Sequence, residues 1–452
     1  MHSGRTHVND GEFKKEIEAI LRGESIHSRP KDRFDFTGFV FPEVEFQSFT
    51  FNRDVCFVKA VFVNAVSFIN ATFKGRAGFT EVDFRGYVNF SKACFEGECS
   101  FMEVMFRKRV DFLEASFDGG AEFIGTKCFG EALFSKARFR NIANFAWAQF
   151  HHEVTFSGAL FTSGAIFIAT QFKEMTDFLE TVFGRRLESV HAGELPAIAD
   201  FTGGRFEKPA QVRFYRVNRN SAQGLRARFV NSEVEYLHFD DVNWHRYRGR
   251  MILQDELDLS DPSETARATP LSSHESVAIV YRQLVSNYEK VRAYDLAEDC
   301  FCGAMEMKRL DPDQFMFARV LSDCYRKSRL LRWFGSRLSA TYLYRFASYY
   351  GSRYVRALAV LLLVVAIAGL LYGLPSVGLH RVDSGSIGHP PLSQSGRVVA
   401  GLFHALEVAT FQRQLLYDTE TIFGKLVVVL ETILVPAQLA LFLLALRRRF
   451  RR

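Results

Sequence analysis

Aromatic rings recur from Phe51 to Phe183 at intervals that alternate strictly between six and five residues, with polar residues filling the spaces between them. Twenty-five positions lie on this beat, all of them Phe except Cys128, whose neighbour Phe129 stands one place off it. A second register accompanies the first. Two residues before each beat position from 57 to 183 the side chain is small: twelve Ala, seven Val, four Thr and Cys99. Inward-facing positions two residues apart belong to extended segments, in which alternate side chains share a face. The underlying period is a double unit of 11 residues, repeated twelve times. Such a repeat also suits a supercoiled helix. Frequent Gly (Gly75, Gly86, Gly97, Gly119), abundant β-branched residues and the lack of a sustained helical stripe predict short strands joined by corners instead.

With four sides to a turn, two double units of 11 residues return the chain to the same wall, one strand spacing or about 4.8 Å higher. One predicted ladder is Phe57, Phe79, Phe101, Phe123, Phe145 and Phe167; another is Phe62, Phe84, Phe106, Cys128, Phe150 and Phe172. Large rings beside small residues fill a narrow tube without voids, as close packing requires. On these residues the chain resembles a pentapeptide-repeat protein from about residue 34 to residue 244. The resemblance implies a β-solenoid: a right-handed quadrilateral β-helix with Phe at the centre of each unit. The sixth residue in every second unit departs from the family pattern and predicts bulged corners or a wider tube.

The remaining segments are set off against this beat. Residues 1–33 form a polar tail with one capping helix over 11–22, where Phe13, Ile17, Ile20 and Leu21 share a face. Residues 184–196 break the rhythm as a loop insertion, and Phe201 to Trp244 read as irregular final coils. Residues 245–272, with Asp255, Glu256, Asp258, Asp261 and Glu264, read as a linker. A helical hairpin is expected over 273–312, with capping signals at Ser272 and Glu275 and again at Asp295 and Glu298. It resembles the tetratricopeptide-like unit that follows many such solenoids. Basic juxtamembrane helices are expected over 313–356, since nine Lys or Arg stand against one acid, Asp323, between Arg319 and Arg356.

Charge then vanishes. Ala357 to Leu374 gives 18 residues whose single ionisable side chain is Tyr372, enough for about 27 Å of helix across a bilayer. Leu426 to Leu446 supplies a second apolar run, followed by Arg447, Arg448, Arg449, Arg451 and Arg452. The positive-inside rule places both termini in the cytoplasm and the loop 375–424 outside, so a multi-pass protein of the inner (plasma) membrane of a bacterial cell is expected. Residues 357–452 resemble a two-span, potassium-channel-like module, and GKLVVVLETILVPAQLALFLLALRRRF is similar to the inner helix of ion-channel-like domains fused to pentapeptide repeats. The helix 398–411 takes the place of a pore helix. Placed on the family filter, Thr410 is followed by Gln412, Arg413, Gln414 and Leu415 where glycines, tyrosine and acid belong, and Asp418 comes late. Without glycine the successive carbonyls of a potassium filter cannot all face the axis. Arg413, Asp418, Glu431 and Gln438 are the candidates for pore lining or subunit contact, since polar groups inside a span are costly unless they face water or a partner.

Composition narrows the function. Phe makes up 47 of the 452 residues, almost wholly through the repeat. From 34 to 244 there are 23 Lys and Arg against 26 Asp and Glu, which suits neither a nucleic-acid binder nor an acidic mimic of DNA. Seven cysteines include no CxxC pair, and Cys300 and Cys302 are too close for a usual metal site. His151, His152 and Glu153 alternate in direction along a strand and cannot converge on one ion. No phosphate loop, nucleophile elbow or HExxH motif occurs, so neither an enzyme nor a cofactor is expected. The reading is a membrane-anchored scaffold or sensor whose partners are the lipid bilayer, a protein bound to the solenoid and other copies of the chain, four of them if the module forms a pore. An oligomeric channel with an unconventional selectivity region is the first alternative. A gyrase-protecting DNA mimic is the second, opposed by the charge balance and the spans.

Overall fold

The computed structural model describes residues 33–185, 196–221, 223–260, 272–311, 339–382, 394–412 and 416–450, together with residues 15, 17 and 19. The chain divides into two compact units, Met1–Ala304 and Met305–Arg452, and each is described by itself.

The first unit is a β-solenoid. Its short strands form four parallel sheets of nine, eight, nine and seven strands, in which each strand, until the final coils, pairs with the strand four further along the chain. The coil therefore makes about nine turns. From Val44 the register is i to i+22, as in Val44↔Val66, Asp83↔Met105 and Ala121↔Ala143. The opening coil is one residue shorter, since Phe34 pairs with Val55 and Phe41 with Phe62. Across the insertion the register moves to Ala165↔Ala199, and the ring ladder continues from Phe167 to Phe201 at 4.9 Å.

Ring geometry explains why Phe dominates. Within a ladder the rings stack nearly parallel: Phe79 and Phe101 are 4.8 Å apart at 1°, and Phe101 and Phe123 are 4.9 Å apart at 3°. Rings of neighbouring ladders meet edge to face, as Phe101 and Phe112 do at 5.4 Å and 86°. Both arrangements suit the aromatic quadrupole, and each adds about 0.5–1.5 kcal/mol beyond area burial. The small register is equally buried, and its hydroxyls are satisfied: Thr126 and Thr170 each donate 2.7 Å hydrogen bonds to Phe101 O and Phe145 O.

The sixth residue of alternate units lies in a corner, not in a bulged strand, and the corners are of two kinds. After Phe57, and at every eleventh residue onward, the chain turns through a left-handed residue (Lys59, Asn70, Glu81, Lys92) and closes a hydrogen bond such as Ala60 N to Phe57 O, 2.9 Å. The longer corner holds the extra residue, and there the backbones of successive turns nearly touch. A Cβ on Gly97 would lie 2.5 Å from Gly75 O, and one on Gly119 would lie 2.3 Å from Gly97 O. At these glycines no side chain fits between the turns.

Cys128 is buried, whereas Phe129 is 39% exposed and stacks on His151 at 4.5 Å. Phe129 therefore does not lean in to replace the missing ring. Cys128→Phe is expected to complete the ladder between Phe106 and Phe150 and raise stability by about 1–2 kcal/mol. A lowered denaturation midpoint would mean the tube has already closed around the thiol.

The far end of the solenoid differs from the sequence expectation. The supposed linker contains a helix, α1 (Gln254–Ser260), whose Gln254, Asp255, Glu256 and Asp258 are buried. Its acids serve the exposed edge of the last coil. Asp255 Oδ2 accepts from Phe229 N at 2.8 Å, and Asp258 Oδ2 accepts from Arg228 Nε at 2.7 Å. The other face of Arg228 donates to Asp200 Oδ2 at 3.0 Å. Glu256 pairs with Arg250 and accepts from Tyr281 Oη at 2.6 Å. Burial pushes the Asp255 carboxyl up to about 7. The seven-stranded sheet is closed by a side chain: the Asn218 amide accepts from Phe183 N and donates to Phe183 O, each at 2.7 Å, imitating a further strand. Edge groups that would otherwise be orphaned or invite another chain are thus covered.

The expected helical hairpin is present as α2 (His274–Lys290) and α3 (Tyr294–Leu310), and α3 crosses the boundary of the two units. The cap of α2 lies one residue beyond the expected pair: Ser273 and Ser276 form the capping box. Asp295 lies inside the first turn of α3 and does not precede it. Of the N-terminal helix, Lys15, Ile17 and Ala19 are helical and Ile17 is buried; Phe13, Ile20 and Leu21 lie outside the described residues. So do 186–195 of the insertion, 261–271 of the linker and 312–338 of the basic segment.

Candidate functional site

The second unit contains α4 (Ala340–Ser348), α5 (Tyr354–Tyr372), α6 (Gln394–Ala409) and α7 (Ile422–Phe450). Helices α5 and α7 are long and apolar enough to cross a membrane. Helix α5 forms because its residues are uninterrupted by charge beyond Arg356, and Pro375 follows its end. Glycines bring α5 and α6 into backbone contact: a Cβ on Gly401 would lie 2.3 Å from Gly369 O. Small residues permit this approach where lipid offers no hydrophobic drive to pack. A short antiparallel ribbon, Leu379–Arg381 with Tyr417–Thr419, joins the segments on either side of α6.

This packing gathers four polar side chains from three helices. Glu431 on α7 is 2% exposed, and its Oε2 accepts from Tyr372 Oη of α5 at 2.8 Å. The Tyr372 ring meets the His404 ring of α6 edge to face, 4.6 Å between centroids. His404 Nδ1 lies 3.8 Å from Glu407 Oε2, one helical turn further along α6. Both oxygens of Glu407 accept from Leu416 N at 3.3 Å. The surroundings of Tyr372 are apolar, formed by Ala368, Val377, Ala405 and Val427. Glu431 Oε1 and both ring nitrogens of His404 are buried without a hydrogen-bond partner.

Of the residues singled out from sequence, Glu431 belongs to this cluster. Gln438 does not; its Nε2 donates to Ala347 O at 2.9 Å and Ala357 O at 2.8 Å, pinning α7 to the ends of α4 and α5. Both are buried within the single chain. A polar group in a span seeks water or a partner, and within this chain the partners of both are on neighbouring helices. Asp418 is exposed on the ribbon, opposite His380. Arg413 lies outside the described residues. In the solenoid, Phe57, Phe79, Phe101, Phe123, Phe145, Phe167 and Cys128 are all buried core residues. Sequence reasoning missed His404 and Glu407, although their i, i+3 spacing on an otherwise apolar helix was a usable signal.

Among the described residues no cluster of His, Cys, Asp or Glu suits a metal ion. Comparison with known proteins bears on the solenoid alone. Residues 46–94 and 57–105 match the family model described as Pentapeptide repeats (9 copies). No curated protein matches the chain, and no solved structure does.

Proposed function

We propose that this pentapeptide-repeat β-solenoid is a scaffold tethered to the cytoplasmic face of a plasma membrane by the helices α5 and α7. The observation that carries the reading is the outward face of those helices, where Leu362 and Ile433 are each 61% exposed. Leu358, Leu363, Ile367, Leu370, Val429 and Leu443 are exposed beside them. A core helix of a water-soluble domain buries such residues, whereas a contiguous apolar surface of this extent suits lipid. The balanced charge of the solenoid favours a protein partner on its walls over nucleic acid. The repeat supplies surface and rigidity, and no constellation in it supports catalysis. The lack of glycine between Thr410 and Asp418 supports an anchor and not a potassium-selective pore.

The test is extraction and sidedness. The protein is expected to stay in the membrane pellet through alkaline carbonate. A cysteine replacing the exposed His380 should react with an impermeant maleimide on intact cells, while one replacing Lys59 should react only after lysis. Release by carbonate would refute the anchor, and the opposite labelling pattern would reverse the orientation drawn from the basic excess.

A further inference from the structure

Glu431, Tyr372, His404 and Glu407 form a buried polar chain. Among the described residues the charged groups acting on His404 are Glu407 and Asp418, and the polar group acting on Glu431 is the Tyr372 hydroxyl, so none of the groups acting on either is a cation. Arg397, two turns before His404 on the same helix, contributes at neither. With the imidazole neutral and both carboxylates ionised, the cluster would hold two uncompensated negative charges among apolar side chains, at a cost of several kcal/mol per ion. Two protons remove that charge without moving a helix: one on Glu431, one shared by His404 and Glu407. The unpartnered atoms are those that would take them, namely Glu431 Oε1 and the His404 ring nitrogens.

We propose that the cluster is a proton-binding site inside the membrane unit, with Glu431 and the His404–Glu407 pair as the binding groups and Tyr372 between them. The proton is the cation that fits, because among the described residues the site lacks the converging ligands a metal ion needs. Access runs from the ribbon side. Glu407 is bound to Leu416 N, next to the strand Tyr417–Thr419 on which Asp418 is exposed, so it is the group of the cluster nearest the ribbon. Beyond Glu431 along α7 the next buried side chain is the apolar Val435, and Gln438 spends its amide on backbone carbonyls. The chain of ionisable groups therefore ends at Glu431, which makes a site of proton uptake from one face and not a continuous wire. The proposal rests on α5 and α7 lying in lipid.

Infrared difference spectroscopy of the full chain in phosphatidylcholine vesicles, titrated with acid and base between about pH 4 and pH 9, reads the site directly. A carboxylic C=O component that appears on acidification is expected to be missing from the spectrum of Glu431→Gln and retained in Glu420→Gln and in Asp255→Asn, the latter removing the separate component of the buried Asp255. Tyr372→Phe, which keeps the ring and its packing, should move the band's midpoint by about one pH unit, and His404→Gln should do the same. If Glu431→Gln does not assemble, Tyr372→Phe decides alone. A spectrum unchanged by these substitutions, in protein that still resists carbonate extraction, overturns the proton site while leaving the membrane anchor standing. Release by carbonate instead removes the anchor on which the proposal depends, and overturns both.

Discussion

Phe101→Asp is expected to abolish the folded solenoid, while Phe129→Ser leaves it nearly as stable as before. Phe101 is fully buried, stacked between Phe79 and Phe123 and met edge-on by Phe90 at 5.5 Å and Phe112 at 5.4 Å. A carboxylate at that point has neither water nor a cation, and an unpaired buried charge costs about 3–5 kcal/mol. The lost ring contacts come in addition. In a solenoid each turn is supported by its neighbours, so a break at the middle of the stack removes the interfaces on both sides. Phe129 lies one residue off the beat, is 39% exposed and touches the His151 ring; losing that contact should cost about 1 kcal/mol or less. Circular dichroism and denaturant unfolding of the two variants read the difference. Equal sensitivity would contradict the phase of the repeat.

The second large effect is expected at the other end of the stack. Arg228 donates to Asp258 at 2.7 Å and to Asp200 at 3.0 Å, and all three side chains are nearly excluded from solvent. Arg228→Met keeps the aliphatic bulk but leaves two buried carboxylates without their cation, which costs about 3–5 kcal/mol. The failure should be local first. Helix α1 would detach, and the Phe229 amide, now bound to Asp255, would lose its acceptor and its protection from hydrogen exchange. Arg140→Met is the control, because the Arg140–Asp118 pair sits on the surface at 3.1 Å and such pairs contribute about 0–1 kcal/mol. Unchanged protection at Phe229 in Arg228→Met would show that α1 is held by its apolar contacts alone.

These two sites also show where sequence and tertiary structure divided the work. The beat at Phe57, Phe79 and Phe101 made the strands, the coil and the core readable in advance, because strand pairing and ring stacking in a solenoid join residues a fixed number of periods apart. A local pattern repeated at fixed spacing fixes its own partners. The two apolar runs were readable for a similar reason, since length and lack of charge suffice to nominate a span. The cap box of α2 was misplaced by one residue, from Ser272 to Ser273, because neighbouring serines offer equivalent caps and the packing of the helix chooses between them. Asp255, Glu256 and Asp258 read as a solvated linker, for acids in a run are ordinarily solvated. Only the fold brings Arg228, Arg250 and Tyr281 to them and makes their burial tolerable. The polar cluster of the helical unit is the same lesson: Tyr372, His404, Glu407 and Glu431 lie on three helices, carry no shared motif, and meet where Gly369 and Gly401 let two backbones touch. Periodic contacts were written in the sequence; contacts between segments with no common period were decided by packing.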